Sequence, residues 1–211
     1  MTLIPMVFIV DDDLSVQKSL GRLVRSAGFR AVAFGSANEF LSFSWDDAPS
    51  CLVLDIQMPD LCGFGLQQTL SASGLRLPII FLTGYGDIPM SVRAIKAGAV
   101  DFLTKPCDDK ELLRAIELAI AINLEARREL TDIAELQRRL SSLTRREREV
   151  CNHVVAGRLN KQIAHDLGVC EQTIKVHRMK IMKKLRVRSL ADLVRLTEKA
   201  GMMSTTSKNS T

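Results

Sequence analysis

The sequence predicts an α/β domain built on a doubly wound parallel sheet, followed by a long linker helix and an all-helical domain. Three observations lead to this prediction. Five short apolar runs alternate with helical patterns in the first part of the chain. Residues 108–140 then contain neither Gly nor Pro. Finally, residues 1–124 hold 10 Lys and Arg against 14 Asp and Glu, whereas residues 142–211 hold 15 against 6, which indicates two modules with different partners.

The five apolar runs are predicted to be buried parallel strands. Each is short and continuously apolar, and most contain β-branched or aromatic residues, as in strands that are covered on both faces. The runs are VFIVD, AVAF, CLVLD, PIIFLT and DFLTK, at residues 7–11, 31–34, 51–55, 78–83 and 101–105. Helical patterns lie between them, at residues 15–27, 64–70 and 88–97. This alternation predicts a five-stranded parallel sheet with helices on both faces.

Residues 108–140 are predicted to form one long helix or two joined helices. Apolar side chains recur there at spacings of three and four, at Leu130, Ile133, Leu136, Leu140 and Leu143. Two interpretations stay open. One is a short coiled coil, although such structures normally need about three or four heptads, more than this segment has. The other is packing of the linker against its own domains.

The basic last third is predicted to be helical throughout. Thr144 and Glu147 have the spacing of a capping box, which starts a helix, and Gly157 ends that helix. A final helix is predicted at residues 190–199. The polar segment that follows, residues 201–211, is expected to be disordered.

Between those helices the pattern indicates a helix-turn-helix. Helices are predicted at residues 160–167 and 171–185, and the turn that joins them starts at Gly168. The second helix carries five basic side chains, Lys175, Arg178, Lys180, Lys183 and Lys184. A basic helix in this setting is a candidate for binding nucleic acid, and the alternative is a basic but inert surface.

Ionisable and hydroxyl side chains stand where four of the predicted strands end. Asp11 and Asp12 end the first strand, Asp55 the third, Thr83 the fourth and Lys105 the fifth. In a sheet of this type the ligand site lies at the carboxyl ends of the strands. Because unpaired carboxylates repel one another, this cluster needs a cation, and its oxygen ligands suit Mg²⁺ or Mn²⁺.

Because of these residues at the strand ends, the first 122 residues resemble the response regulators of two-component signalling. The matching motifs are DD at 11–12, DIQMPDLCG from Asp55, Thr83, and the Lys-Pro pair at 105–106. The resemblance implies the flavodoxin-like strand order 2-1-3-4-5. It also implies a cis peptide bond between Lys105 and Pro106.

The resemblance further implies a role for each residue in phosphoryl transfer. Asp55 is implied to be the phosphoacceptor, Thr83 to hydrogen-bond the phosphoryl group, and Lys105 to pair with it. Phe102 occupies the family's aromatic switch position. Residues 88–105 are accordingly expected to form a two-fold dimer after phosphorylation, with the linker helix as the alternative dimer contact.

A metal site is implied by the same resemblance. Asp12, Asp55 and the backbone carbonyl of Gln57 are implied to hold Mg²⁺, and Asp11 to assist through water. Cys62 departs from the Ser, Asp or Asn that the family commonly has before the glycine. This departure affects the turn rather than the chemistry.

The last third resembles the LuxR-type helix-turn-helix, through LTRREREV, the A-G-x-x-N-K-x-I-A run and T-I-K-V-H. The whole chain therefore resembles a NarL/FixJ-type response regulator. The implied partners are a sensor histidine kinase, double-stranded promoter DNA and RNA polymerase, and the implied function is regulation of transcription.

Helical geometry divides the 171–185 helix into two faces. Ile174, His177, Ile181 and Leu185 share the face expected in the core, where His177 is expected to be packed and hydrogen-bonded. The candidates for contacting bases are Gln172, Lys175, Val176 and Met179. The candidates for contacting phosphates are Lys161, Lys180, Lys183 and Lys184.

The predicted domains are therefore a receiver at residues 1–122, a helical linker at 123–141 and a DNA-binding domain at 142–200. The apolar start of the chain stops at Asp11, too early for a signal peptide or a membrane span. Five cysteines without a CxxC pair argue against disulfides and zinc. These features predict a cytoplasmic protein with no membrane partner, and the resemblance implies that it is bacterial.

Three alternative functions fit the sequence less well. An aspartyl phosphatase would carry a second acid two residues after the nucleophile, where this chain has Gln57, so the protein is not expected to be an enzyme. A receiver that only binds other proteins would not need the basic helix-turn-helix. A LuxR-type regulator controlled by a small molecule would not need the acidic cluster.

Overall fold

A computed structural model divides the chain into two compact units, Met1–Arg128 and Glu129–Thr211. The structure describes residues 3–44, 47–59, 61–84 and 87–199, so the predicted disordered tail, residues 201–211, lies outside the described residues. The boundary between the units falls inside the predicted linker. No helix of the described ranges combines the length and the apolar character that crossing a bilayer requires.

The first unit contains the predicted five-stranded parallel sheet, in the order β2-β1-β3-β4-β5. Its strands are β1 (Met6–Val10), β2 (Arg30–Phe34), β3 (Ser50–Leu54), β4 (Ile79–Thr83) and β5 (Asp101–Thr104). Successive residues of a strand point to opposite faces of a sheet. In β1, Phe8 accordingly packs into one hydrophobic core and Ile9 into the other. Both faces are therefore buried, as the continuously apolar strands predicted.

The helices of the first unit confirm three predictions and add one element. They are α1 (Leu14–Ser26), α2 (Ala37–Leu41), α3 (Gly63–Ala72) and α4 (Ile88–Lys96). The helix α2 was not predicted from the sequence. The sequence feature that starts this helix involves near neighbours in the chain. The Ser36 hydroxyl accepts a hydrogen bond from the backbone N–H of Glu39, and the Glu39 carboxylate accepts one from the backbone N–H of Gly35. The short helix brings Phe40 against Phe8, with ring centroids 5.5 Å apart.

The Gly- and Pro-free segment forms a single helix, α5 (Asp109–Ser141). Its first part packs into the core of the first unit through residues such as Ile116. Leu136 and Leu140 are buried in the core of the second unit, whereas Leu130 is 57% exposed. Packing of the linker against its own domains is thereby confirmed. Leu136 and Leu140 are not available for a coiled coil.

The second unit continues with α6 (Arg145–Val155), α7 (Asn160–Asp166), α8 (Glu171–Leu185) and α9 (Leu190–Lys199). The predicted capping box is present, since the Thr144 hydroxyl accepts from the Glu147 backbone and the Glu147 carboxylate accepts from the Thr144 backbone. Between α7 and α8, Gly168 adopts a φ of 64°, a left-handed conformation that glycine takes without steric cost. These elements form the predicted helix-turn-helix.

The core face of α8 is mostly as predicted. Ile174, Ile181 and Leu185 are buried in the core of the second unit. His177 is only half-buried. Its Nδ1 atom is buried and has no hydrogen-bond partner among the residues that the structure describes. The hydrogen bond expected for His177 is therefore not made at this ring atom.

Candidate functional site

Three carboxylates meet at one edge of the sheet in the first unit. Asp11 and Asp12 directly follow β1, and Asp55 directly follows β3. These strands are adjacent and parallel, with Val10 paired to Leu54, so the acids emerge side by side. Each acid offers an oxygen within 4.8 Å of the others. Asp11 and Asp55 are buried and Asp12 is exposed, so one side of the cluster is open to water.

Lys105, which follows β5, bridges two of these acids. Its Nζ atom donates hydrogen bonds to Asp11 Oδ2 at 2.6 Å and to Asp55 Oδ2 at 2.8 Å. The peptide bond between Lys105 and Pro106 is cis, as predicted. This ammonium supplies a positive charge at the cluster.

Burial and charge act in opposite directions on the ionisation of this site. Burial raises the pKa of Asp11, and the hydrogen bond from Lys105 opposes that rise without cancelling it. Burial by itself lowers the pKa of Lys105, but its hydrogen bonds to Asp11 and Asp55 outweigh the effect and raise the pKa above its ordinary value. Lys105 therefore stays charged at neutral pH.

The donor set fits a hard divalent cation. Carboxylate and carbonyl oxygens are the ligands that Mg²⁺ prefers, and Mg²⁺ keeps part of its water shell. Two buried carboxylates and one exposed carboxylate provide oxygens with access to water. The backbone N–H of Gln57 donates to Asp55 Oδ1 at 3.1 Å, which orients the central carboxylate. Gln57 itself is exposed.

Thr83 and Phe102 lie on the two strands beyond the acids. Thr83 ends β4 and is fully buried, and its carbonyl accepts a hydrogen bond from the backbone of Lys105 at 2.8 Å. Phe102 lies on β5 and is half-buried, with its ring centroid 6.4 Å from that of Phe81. The structure therefore brings Lys105 directly to the acids and Thr83 next to Lys105. Phe102 lies on β5, one strand further from the acids than Thr83.

A cleft of about 560 Å³ opens beside the carboxylates. Asp12 and Gln57 line one part of it, and Phe64, Met90 and Arg93 line another. The guanidinium of Arg93 lies over the Phe64 ring, 4.5 Å from the centroid. Arg93 was not predicted from the sequence, because its ring partner comes from α3 and most of the other lining residues come from loops distant in the chain.

The outward face of α8 carries the candidates for contacting DNA. Gln172, Lys175 and Lys183 are exposed, Val176 is half-buried, and Met179 is a large apolar side chain that is 64% exposed. Of the remaining candidates, Lys161 on α7 and Lys180 on α8 are also exposed. The side chain of Lys175 lies near Glu171 one turn earlier, with 3.6 Å between Nζ and Oε1.

Lys184 differs from the other predicted phosphate contacts. Its Nζ atom donates to Glu147 Oε2 at 2.6 Å and to the carbonyl of Ser142 at 3.1 Å. Glu147 is almost completely buried. Lys184 lies about 120° around the helix from Gln172, which takes it off the outward face. The ammonium of Lys184 thus ties the end of α8 to the start of α6, which makes Lys184 a weaker candidate for a phosphate contact than Lys161, Lys180 and Lys183.

A second polar contact holds the helix-turn-helix together. Arg178 on α8 donates from Nη1 to Asn160 Oδ1, at the start of α7, over 2.8 Å. Arg178 was predicted to be one of the basic residues of α8, but this partner was not predicted. The contact joins the two helices of the motif.

Two family profiles match this chain. The response regulator receiver domain matches residues 7–117. The profile of bacterial regulatory proteins of the luxR family matches residues 141–197. Together these matches cover the sheet with its carboxylate cluster and the helices with the basic outward face.

Individual proteins resemble the chain over most of its length. Nodulation protein W of Bradyrhizobium diazoefficiens is 47% identical over 196 residues, which are 93% of this chain and 86% of that protein. The transcriptional regulatory protein FixJ of Rhizobium meliloti is 42% identical over 195 residues, 92% of this chain and 96% of that protein. The solved structure of the response regulator StyR is 49% identical, with a TM-score of 0.85, and the match covers 93% of this chain and all of that one.

The pairing of Lys184 with Glu147 predicts a stability effect. Lys184→Met should lower the free energy of unfolding of the second unit by about 1.5–3 kcal/mol at pH 7, because it removes a hydrogen bond to a buried charge. Burial raises the pKa of Glu147, but the bonds from Lys184 and Thr144 outweigh this, so the net pKa lies below its usual value. The stabilisation is therefore present above about pH 4.5 and is lost as the pH falls through the folded-state pKa.

Urea unfolding of the full chain at pH 7 and at pH 3 measures this effect. Lys183→Met is the matched control, because Lys183 is adjacent, has the same charge and is exposed. It should change the unfolding free energy by less than about 0.5 kcal/mol. Equal effects of the two substitutions would contradict the structural role of Lys184.

Proposed function

Because this chain belongs to the response regulators that join a receiver domain to a LuxR-type helix-turn-helix, and is thus a DNA-binding regulator of transcription, we propose that it accepts a phosphoryl group on Asp55 from a sensor histidine kinase. The observation that carries the proposal is the Lys105 ammonium, which is hydrogen-bonded to both Asp11 and Asp55.

We also propose the domain bounds. We assign the receiver to residues 1–122, the linker to residues 123–141 and the DNA-binding domain to residues 142–200.

The proposed reaction is a displacement at phosphorus. A carboxylate oxygen of Asp55 attacks the phosphoryl group, the bond from phosphorus to the donor breaks, and the donor keeps the electron pair. The Gln57 N–H holds Asp55 in position during the attack. Lys105 exchanges a carboxylate partner for a phosphoryl oxygen, and the hydroxyl of Thr83 donates a hydrogen bond to another.

A divalent cation supports this chemistry in the proposal. Asp12, Asp55 and the backbone carbonyl of Gln57 would hold Mg²⁺ or Mn²⁺, and Asp11 would contribute through water. When bound, the cation offsets negative charge on the phosphoryl oxygens. A phosphatase acting on other molecules is not proposed, because the amide of Gln57 has no ionisable proton to give to a leaving group.

Phosphorylation of Asp55 is the first expectation of this proposal. Incubation with acetyl phosphate and Mg²⁺ should add one phosphoryl group per chain, because Asp55 is the carboxylate bonded to both Lys105 and Gln57. Intact-mass spectrometry measures the addition, with and without Mg²⁺. Asp55→Asn should abolish it, whereas Asp109→Asn, at an exposed acid of α5, should not. Equal labelling of wild type and Asp55→Asn would refute the assignment.

We also propose that phosphorylation favours a two-fold dimer through residues 88–105. Exposed apolar side chains share one face of α4, with Ile88 80%, Val92 44% and Ile95 48% exposed. A phosphoryl group adds about −1.5 to −2 charges at the sheet edge. It shifts an equilibrium by binding one conformation better, through movement of Thr83 towards it and of Phe102 inwards.

Sedimentation tests this dimer. With beryllofluoride as a phosphoryl mimic and Mg²⁺, the full chain at micromolar concentration should change from monomer to dimer in analytical ultracentrifugation. Ile95→Asp should prevent the change, because it places a charge in an apolar contact. The matched variant Leu130→Asp, at an exposed leucine of α5, should not. The opposite result would assign the dimer to the linker helix.

DNA recognition is proposed for the outward face of α8. An α-helix fits the major groove of B-DNA, and the second helix of a helix-turn-helix normally enters it. Lys175 then donates to guanine and Gln172 reaches a neighbouring base edge, while Val176 and Met179 pack against thymine methyl groups. Lys161, Lys180 and Lys183 contact phosphates, which position the protein without reading sequence. RNA polymerase is the proposed further partner at the promoter.

Two substitutions on α8 distinguish reading of bases from contact with phosphates. Lys175→Ala should cost about 1–3 kcal/mol of binding and relax the preference at one base pair. Lys183→Ala should weaken binding to all sequences alike and reduce the slope of affinity against salt by about one. Titration of both variants against a matched and a mutated site, at several salt concentrations, measures these effects. Equal loss of affinity for both sites in Lys175→Ala would show that Lys175 contacts phosphate.

A further inference from the structure

Arg93 is a cation in the cleft beside the carboxylates, and no step of the proposed phosphorylation uses it. The side chain is held by the ring of Phe64, with its guanidinium carbon 4.5 Å from the centroid. An arginine over an aromatic face is attracted by the ring electrons, which restricts a long and otherwise flexible side chain. The guanidinium therefore has a defined position in the cleft.

The cleft connects this cation with the phosphoryl site. Asp12 and Gln57, two of the proposed metal ligands, line the same cleft as Arg93. Its remaining lining is mainly apolar, with Ile56, Met58, Pro59, Phe64 and Met90 as members. A volume of about 560 Å³ is within the range of sites for small ligands. The cleft thus offers room for a small molecule with a phosphoryl end, a short apolar body and a negative charge.

Arg93 does not share the face of α4 that is proposed for the dimer. Ile88, Val92 and Ile95 lie on one side of the helix and are exposed. Arg93 is about 140° around the helix from Ile88. The helix therefore separates the dimer surface from the cleft, and a substitution of Arg93 leaves the apolar face in place.

We propose that Arg93 determines the choice of small phosphodonor, by favouring donors whose leaving group departs as an anion, such as acyl phosphates. This inference rests on the proposed function, since Asp55 must be the acceptor. In the step, a carboxylate oxygen of Asp55 bonds to phosphorus while the phosphorus–oxygen bond to the acyl group breaks. The electron pair stays on that oxygen, and a carboxylate leaves without taking up a proton.

Arg93 acts on the charge that develops in this step. As the phosphorus–oxygen bond breaks, negative charge grows on the acyl oxygens, and the guanidinium presents donors that match a carboxylate. The apolar lining of the cleft accommodates the alkyl part of the donor. Phosphoramidate provides the contrast, because its protonated nitrogen leaves as neutral ammonia and gains nothing from Arg93.

Labelling rates with the two donors test the inference. Initial rates would be measured by intact-mass spectrometry on the full chain with Mg²⁺, at subsaturating acetyl phosphate or phosphoramidate. Arg93→Met should slow labelling by acetyl phosphate roughly two- to fivefold, the size expected for one exposed ion pair, and should leave the phosphoramidate rate unchanged. Arg93→Lys should recover part of the loss, because it restores the charge without the planar geometry.

The matched control is Arg114→Met, which removes the same charge from an exposed position on α5. It should alter neither rate. An unchanged acetyl phosphate rate in Arg93→Met, or equal slowing with both donors, would overturn the role of Arg93 while Asp55 phosphorylation stands. Failure of wild type to be labelled by either donor would overturn the proposed function and this inference together.

Discussion

The attraction between the Lys105 ammonium and the carboxylates of Asp11 and Asp55 is the interaction on which the edge of the sheet depends. Three acids whose oxygens lie within 4.8 Å of one another repel, and two of them are buried. Hydrogen bonds of 2.6 and 2.8 Å from one ammonium offset that repulsion. They also connect the ends of β1, β3 and β5. The proposed reactivity follows from this constraint, because a phosphoryl group or a divalent cation changes the balance of charge that Lys105 maintains.

In the second unit, a cation is also paired with a buried carboxylate, and there the pairing holds helices together. The buried carboxylate of Glu147 is paired with Lys184, and Arg178 is bonded to Asn160. These contacts occupy polar groups on the flanks of α8 and hold the helix against its neighbours. The basic residues on the outward face remain exposed to solvent. Cations that are bonded to other side chains thus stabilise the motif, whereas the exposed cations are the ones proposed to contact DNA.

Local chemistry made much of this architecture predictable. Continuously apolar runs indicated strands buried on both faces, and the spacing of Thr144 and Glu147 indicated a helix start, both of which the structure confirms. The bounds of α8 were also predicted correctly. The helix α2 was missed although its signal, the spacing of Ser36 and Glu39, is equally local. The strand order and the cis bond before Pro106 came from resemblance to a family and are likewise confirmed.

By itself, therefore, the sequence determined the elements, the residues at the strand ends and the division into an acidic and a basic module, because these depend on periodicity, composition and neighbours in the chain. Only the tertiary structure decided which residues meet across long separations. In the tertiary structure, Leu140 is buried in a core and not in a coiled coil. Lys184 is hydrogen-bonded to Glu147, and the guanidinium of Arg93 lies over the Phe64 ring. The physical reason is that residue spacing indicates which face of an element is buried, whereas the particular partner that a side chain meets on another element is set by packing in three dimensions.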